Sequence, residues 1–125
     1  MIIGHGIDIV EINRFEQWRT FCRNHLLKLF SPQEITYCLS EPSKSAERFA
    51  ARFAAKEALF KALHQALPDF SMPFFSLCKK AWVDSSAKVP KFVLEFELPS
   101  DLIIKLSLSH SKLSAIASVI IYHRS

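Results

Sequence analysis

The order of patterns along the chain predicts an α+β fold in one domain covering residues 1–125. A glycine-containing apolar run near the N-terminus is typical of a strand. A long segment rich in alanine and phenylalanine follows and is typical of a helix, and the last third of the chain alternates β-branched, aromatic and polar residues. Half of the residues are hydrophobic and eleven are phenylalanine, which is ample for a core. We therefore expect helices packed on one face of an antiparallel sheet.

Residues 2–10 are predicted to form the first strand, because their side chains alternate in character with a period of two. One face would carry Ile3, His5, Ile7 and Ile9, and the other would carry Gly4, Gly6, Asp8 and Val10. Two glycines on the same face indicate that another segment approaches this backbone closely.

The middle of the chain is predicted to be helical. Residues 12–29 have aromatic residues at helical spacing and favour one or two helices. In "SPQE" at 31–34, serine, proline and glutamate occupy the N-cap, first and third positions of a new helix. Ser43 or Ser45 could cap the long central helix, which should end before Pro68.

Four segments after Pro68 have the composition of strands: "FFSLCKKAWVD", "KFVLEFELP", "IIKLSLSHS" and "SAIASVIIYH". Short breaks separate them, namely "SSAKVP", "PSD" and "KL". This arrangement predicts an antiparallel β-meander.

Composition limits the partners and the location. The net charge of +4 indicates an acidic partner or substrate, and nucleic acid, a phosphorylated small molecule and an acidic protein all remain open. The three cysteines lack metal-site spacing and are interpreted as free thiols in a reducing cytoplasm. No apolar run has the roughly 20 residues that a membrane span needs, and "MIIGHGIDIVEI" lacks the features of a signal peptide. A cytoplasmic protein that does not enter a membrane is expected.

The stretch "FAARFAAKEALFKAL" at residues 49–63 places one carboxylate, Glu57, about 40° from a stripe of phenylalanines. A carboxylate so near the core is costly unless it is paired. One interpretation is a weak i,i+4 ion pair with Lys61. The other is a ligand for a hard cation, with Lys61, Lys56 and Arg52 available to phosphate oxygens. Because Mg²⁺ takes one or two carboxylates plus waters and substrate phosphates, this interpretation needs a second acid nearby.

Asp8 is the best candidate for that second acid, since the glycines on its face would let the long helix approach. A turn residue or a cap for a helix starting near Ile12 is the open alternative. His110, in "SLSHS", stands at a strand end, where it either reaches a ligand or is an ordinary edge histidine. The chain has no nucleophile elbow, Walker A loop or GxGxxG loop, which argues against a serine hydrolase and a nucleotide-loop enzyme.

Five segments occur in an order that resembles a known family: "GHGIDIVEINRF", "KLFSPQE", "RFAARFAAKEALFKA", "LSLSHS" and "AIASVII". The chain resembles the small bacterial holo-[acyl-carrier-protein] synthases of the 4'-phosphopantetheinyl transferase superfamily, over nearly its whole length. The resemblance implies transfer of 4'-phosphopantetheine from coenzyme A to a serine of apo acyl carrier protein. Adenosine 3',5'-bisphosphate is the second product, and the reaction supports fatty acid biosynthesis.

The resemblance also implies roles for residues. Asp8 and Glu57 match the two Mg²⁺ ligands, and Lys61 matches a lysine that contacts phosphate, so these three are the expected catalytic residues. Glu57 is the plausible base for the serine hydroxyl, acting directly or through a metal-bound water.

Four further matches concern the substrates. Arg52, Lys56 and His110 are expected, with Lys61, to bind coenzyme A, and Arg14 is expected to contact the acidic carrier protein. The family implies a homotrimer with active sites shared between subunits. A catalytically inactive relative and a basic nucleic-acid-binding module remain as alternatives.

The sequence departs from the family pattern after the long helix. A glycine-rich turn near the coenzyme A phosphates is usual there, whereas this chain reads "LHQALPDF", with His64 and Gln65 in that place. The turn before the middle strand, "SSAKVP", also lacks glycine. Backbone approach to the nucleotide must differ, or side chains must replace it.

Overall fold

The computed structural model describes residues 1–86 and 88–124, and its architecture confirms the predicted α+β class. The strands are β1 (Ile2–Glu11), β2 (Ala81–Asp84), β3 (Lys91–Leu94), β4 (Leu102–His110) and β5 (Ser114–His123). The α-helices are α1 (Arg23–Leu26), α2 (Pro32–Leu39), α3 (Ser45–Ala66) and α4 (Phe74–Lys80). Short 3₁₀ turns cover Ile12–Phe15, Trp18–Thr20 and Pro42–Lys44.

Strand β5 lies between β1 and β4 in a three-stranded antiparallel sheet, and β2 and β3 form a separate antiparallel hairpin. The predicted meander is therefore divided into two sheets, and the N-terminal strand borders the last one. Because β1 and β4 both run antiparallel to β5, their C-terminal ends meet at the same end of the sheet. Asp8 lies opposite Ala117 and His110 opposite Ala115, so both side chains are near that end.

Helix α3 packs across one face of the three-stranded sheet. The sheet residues beneath it are small or branched and fully buried, including Ala115, Ala117, Val119 and Ile121 of β5. A Cβ added to Gly6 would overlap the carbonyl oxygen of Ala58, and one added to Gly4 would overlap that of Ala62. The prediction that another segment approaches these glycines closely is thus confirmed, and that segment is α3.

The segment 12–29 does not form the predicted regular helices. It is made of two 3₁₀ turns and the four-residue helix α1, because Phe21 and Cys22 adopt extended backbone between them. The aromatic side chains still pack together: the ring centroids of Phe15 and Trp18 are 4.7 Å apart, and those of Trp18 and Phe21 are 5.4 Å apart. Packing of these rings decides the local backbone here, overriding the weak helix propensity.

Two other predictions about elements need correction. The first part of "FFSLCKKAWVD" is helix α4 rather than strand, and it buries Leu77 and Cys78 from one helical face. No serine caps α3: Lys44 precedes the helix, and the buried hydroxyl of Ser45 has no hydrogen-bond partner among the described residues. The capping box of Ser31 and Glu34 at the start of α2 is confirmed.

The predicted break "SSAKVP" includes Ala87, which lies outside the described residues, as does the last residue, Ser125. Within residues 1–86 and 88–124, no helix combines the length and the apolar character that crossing a membrane requires.

Candidate functional site

Asp8 of β1 and Lys61 of α3 meet at the edge of the sheet, where the glycines bring strand and helix together. The Lys61 ammonium donates hydrogen bonds to the backbone oxygen of Ile7 at 2.9 Å and to Asp8 Oδ1 at 3.2 Å. Lys61 thus pairs across to the strand rather than with Glu57 one turn away. We call Asp8, Glu57 and Lys61 the carboxylate corner.

Glu57 is held in an unfavourable electrostatic setting. Partial burial raises the pKa of its carboxyl group, and the nearby negative charge of Asp8 raises it further, whereas Lys61 and Arg14 lower it. The two carboxylates repel each other across a partly desolvated gap. A bound cation would relieve this repulsion.

The corner fits Mg²⁺ better than a transition metal. Among the described residues there is no group of three or more His, Cys, Asp or Glu side chains that could hold a metal ion. Zinc sites are built from three or four such ligands. Magnesium instead needs only one or two carboxylates, with waters and substrate phosphates completing its shell. Asp8 and Glu57 supply that number.

Arg14 lies in the 3₁₀ turn that follows β1, close to the corner. Its guanidinium carbon is 5.6 Å from the ring centroid of Phe15 and 5.7 Å from that of Phe53. The side chain is otherwise exposed, so its charge is available to a partner at the surface.

A second cluster of charged side chains lines a cavity of about 300 Å³ between α3 and the end of β4. Its polar lining includes Lys44, Glu47, Arg48, Arg52, Ser85, Lys88 and His110, and we call it the basic cavity. Its cations outnumber its single carboxylate, so the cavity favours an anion.

Arg52 is the most deeply buried cation of the basic cavity. Only 6% of its surface is exposed, and its guanidinium lies 4.4 Å from the ring centroid of Tyr37. One terminal nitrogen donates to the Ser85 hydroxyl, whereas the buried Nε has no partner among the described residues. His110 Nε2 lies 3.1 Å from a carboxylate oxygen of Glu47. The sequence-predicted Arg52 and His110 are therefore brought together.

The carboxylate corner and the basic cavity of one chain face opposite flanks of α3. Arg52 and Glu57 are five residues apart, which separates them by about 140° around the helix axis and about 7.5 Å along it. The corner uses β1 and the cavity uses β4, which are the two edges of the sheet.

Lys56 does not belong to either cluster, and its expected contact with coenzyme A needs correction. The side chain is fully buried, and its ammonium donates to Glu34 Oε1 at 2.7 Å, to the oxygen of Leu29 at 2.6 Å and to that of Cys78 at 3.1 Å. An ammonium group has three donors, and all three are used. Lys56 therefore has no hydrogen-bond donor available for a phosphate oxygen.

Sequence reasoning missed the partner of Lys56 and several residues of the basic cavity. Glu34 was identified only as a helix cap, yet its other oxygen also accepts from the backbone of Val83 at 2.9 Å. The position of Lys56 beside the phenylalanine stripe was the available signal for burial. For Arg48, the signal was a basic residue one helical turn before Arg52.

The α+β domain combines paired carboxylates, a lysine and a basic cavity. These are the groups that an enzyme acting on a phosphorylated substrate needs. The model of the 4'-phosphopantetheinyl transferase superfamily matches residues 4–115. The chain belongs to this superfamily.

Individual relatives and solved structures support this assignment to the superfamily. The chain is 39% identical to the holo-[acyl-carrier-protein] synthase of Cytophaga hutchinsonii, over 96% of this chain and 97% of that protein. A shorter match to the enzyme of the same name from Koribacter versatilis has 52% identity over 52 residues, or 41% of each chain. Among solved structures, a holo-(acyl-carrier-protein) synthase from Bacillus anthracis in complex with CoA (3',5'-ADP) superimposes with a TM-score of 0.72 at 31% identity, covering 100% of this chain and 99% of that one. The Helicobacter pylori holo-[acyl-carrier-protein] synthase in complex with coenzyme A gives a TM-score of 0.67 at 29% identity, covering 94% and 99%.

Proposed function

We propose that this chain is a Mg²⁺-dependent holo-[acyl-carrier-protein] synthase. It transfers 4'-phosphopantetheine from coenzyme A to a serine of apo acyl carrier protein, releases adenosine 3',5'-bisphosphate and supports fatty acid biosynthesis in the cytoplasm. The observation that carries the proposal is the carboxylate corner, which stands on the first strand and long helix of a chain that shares 39% identity with a holo-[acyl-carrier-protein] synthase along nearly its full length.

Asp8 and Glu57 would hold the magnesium ion. When bound, the ion neutralises charge on the substrate diphosphate and orients it for displacement. The partial burial and the neighbouring charge of Asp8 that raise the pKa of Glu57 support this role, because a cation held by both carboxylates would offset these two effects.

Lys61 and Glu57 supply the remaining chemistry. The Lys61 ammonium stabilises negative charge that develops on the phosphate oxygens as the serine attacks. The Glu57 carboxylate accepts the proton of the serine hydroxyl, directly or through a water.

The basic cavity binds the phosphates at the nucleotide end of coenzyme A. Its deepest member, Arg52, has an unpartnered Nε and a guanidinium oriented by Tyr37 and Ser85. His110 and the exposed cations add charge around it. Lys56 has no part in this contact, since its donors are all used within the core.

One active site is shared between two subunits of a homotrimer. The corner and the cavity of a single chain face opposite flanks of α3, so a second chain has to bring its own cavity to the corner. The outer face of the sheet supports assembly, because it carries exposed apolar side chains such as Ile7, 54% exposed, and Ile9, 62% exposed. A monomer rarely leaves such side chains grouped on one sheet face.

Arg14 contacts the carrier protein. It is exposed beside the corner, where the attacking serine must arrive, and the carrier protein is acidic. Opposite charge at this surface speeds the encounter more than it strengthens the complex.

The metal assignment is tested by measuring phosphopantetheine transfer to apo acyl carrier protein with magnesium and coenzyme A. Asp8→Ala and Glu57→Ala should each lower the transfer rate by at least about a thousandfold, with a folded circular dichroism spectrum. The matched control is Glu11→Ala, an exposed carboxylate on the same strand, which should transfer at the normal rate. Normal transfer by both corner variants would refute the assignment.

The shared site is tested by mixing subunits. Asp8→Ala removes the corner, and a Lys88→Ala/His110→Ala double variant weakens the basic cavity. Co-expressed, the two chains should regain transfer, because a mixed assembly contains one pair of intact half-sites. Activity that never exceeds the sum of the two separate variants would place each site within one chain.

A further inference from the structure

His64 lies one turn beyond Lys61 on the same flank of α3 as the carboxylate corner. Residues three apart on a helix are neighbours, with Cβ atoms about 5–6 Å apart. A helical side chain also covers the turn that precedes it, which here is the turn that carries Phe60 and Lys61. His64 is exposed, as is Lys61.

Two phenylalanine rings hold the imidazole in place. Its ring centroid is 4.4 Å from that of Phe60 and 5.0 Å from that of Phe70. The Phe60 ring in turn packs edge-on against Phe74, at 5.6 Å. An exposed histidine side chain is normally free to rotate, whereas this one is anchored on two sides.

Of the two ring nitrogens of His64, Nδ1 makes a hydrogen bond and Nε2 makes none to the part of the chain that the structure describes. Nδ1 of His64 lies 3.0 Å from the backbone oxygen of Phe60. A carbonyl oxygen only accepts, so Nδ1 carries a hydrogen and donates it. Nε2 has no protein partner among residues 1–86 and 88–124, and it is the atom turned away from the helix backbone.

We propose that His64 is a further substrate-binding residue, whose Nε2 donates a hydrogen bond to a phosphate oxygen of coenzyme A beside Lys61. A phosphate oxygen only accepts, so the ring binds it in the doubly protonated form, with Nδ1 on Phe60 and Nε2 on the substrate. The aromatic anchors lower the entropy lost on binding, because the side chain is already ordered. The inference rests on the proposed function of the carboxylate corner.

The test separates the free nitrogen from aromatic packing. His64→Phe keeps a ring between Phe60 and Phe70 but has no nitrogen, and His64→Gln restores a donor near the position of Nε2. Binding of coenzyme A with magnesium is followed by calorimetry, and KM and kcat for transfer are measured in parallel. His64→Phe should weaken binding and raise KM by about five- to tenfold with kcat within about twofold, and His64→Gln should recover part of the loss.

His25 provides a matched control, because it is another exposed histidine stacked on a phenylalanine, with ring centroids 4.8 Å apart. His25→Phe should bind coenzyme A normally. If His64→Phe also binds coenzyme A as tightly as the unaltered protein, the ring serves only for packing and the inference is wrong. That result leaves the proposed function standing, whereas failure of the unaltered protein to bind coenzyme A would refute the proposed function itself.

Discussion

Two adjacent residues of α3, Lys56 and Glu57, have opposite surroundings. Lys56 is fully buried, and its ammonium is saturated by one carboxylate and two carbonyl oxygens. Glu57 is partly buried, has no hydrogen bond or ion pair among the described residues, and faces the like charge of Asp8. Only about 100° of helix rotation separates the two side chains.

Lys56 is therefore a charge that stabilises the structure, whereas Glu57 is a charge available for chemistry. Lys56 ties α3 to Glu34, which itself accepts hydrogen bonds from the start of α2 and from β2. The buried pair therefore joins three elements. Glu57 lacks such partners, and its raised pKa marks an environment that costs stability until a cation or a proton arrives.

The largest expected effect is on stability, from Lys56→Met. Removing one member of a buried ion pair leaves the charge of Glu34 uncompensated, together with two carbonyl oxygens. The free energy of unfolding should fall by about 3–5 kcal/mol, measured as a lower urea midpoint.

Two further variants serve as comparisons for the stability of Lys56→Met. Lys61→Met removes a half-exposed pair and should cost less than about 1 kcal/mol. A Glu34→Gln/Lys56→Met double variant removes the uncompensated charge and keeps one amide oxygen, which can accept from either Ser31 or Val83, so it should recover part of the loss. A Lys56→Met protein with an unchanged midpoint would mean that the buried pair contributes little.

An intermediate effect is expected where α3 approaches the first strand. Gly6→Ala forces a methyl group against the backbone of Ala58, so the helix and strand must separate. Overpacking of this kind should cost about 1–3 kcal/mol. Transfer should also fall, by about a hundredfold if Glu57 moves about 1 Å from Asp8.

Gly4→Ala provides the comparison, because its added methyl overlaps the Ala62 carbonyl less severely. It should lower both the melting temperature and the transfer rate by less than Gly6→Ala. Equal activity in Gly6→Ala and the unaltered protein would show that the corner tolerates a wider gap.

The smallest effect is a gain in stability from Glu57→Gln. The folded-state pKa of Glu57 is raised, so its contribution to stability is fully present below the unfolded pKa and is lost as pH rises through the folded pKa. At pH 7, without magnesium, the neutral amide should raise the melting temperature by about 1–3 °C. The gain should vanish near pH 4 or below, where the carboxyl group is protonated in both states.

Thermal unfolding in EDTA across this pH range measures the effect, and Glu11→Gln on β1 should leave the melting temperature unchanged. A lower melting temperature for Glu57→Gln at pH 7 would mean that Glu57 has a stabilising partner. Together with lost transfer, the predicted gain would show a carboxylate retained for function at a cost in stability.

The parts of the fold that were predicted correctly are those with a strong local signal. Alternation identified β1, β4 and β5, and the Ser31–Glu34 pattern identified the start of α2. The segments predicted wrongly have mixed signals. Residues 74–80 have strand-like composition but bury Leu77 and Cys78 from one helical face, and residues 12–29 follow the packing of their aromatic rings.

The residues of the candidate site also fall into two groups, those that the sequence predicted and those that it did not. Asp8, Glu57 and Lys61 could be picked out because glycines beside an acid, and an acid beside an apolar stripe, are locally anomalous. The surroundings of Lys56 and the cavity around Arg52 could not be predicted. Glu34, the partner of Lys56, is 22 residues away in sequence, and Ser85, the partner of Arg52, is 33 residues away.

The sequence by itself determined the fold class, the close contact at Gly4 and Gly6, and the residues of the carboxylate corner. Periodicity and residue type carry that information locally. Only the tertiary structure decided which of two neighbouring charges is buried, which carboxylate Lys61 pairs with, and that corner and cavity face opposite flanks of α3. These outcomes depend on distances between segments remote in sequence, and burial and pairing energies depend on those distances.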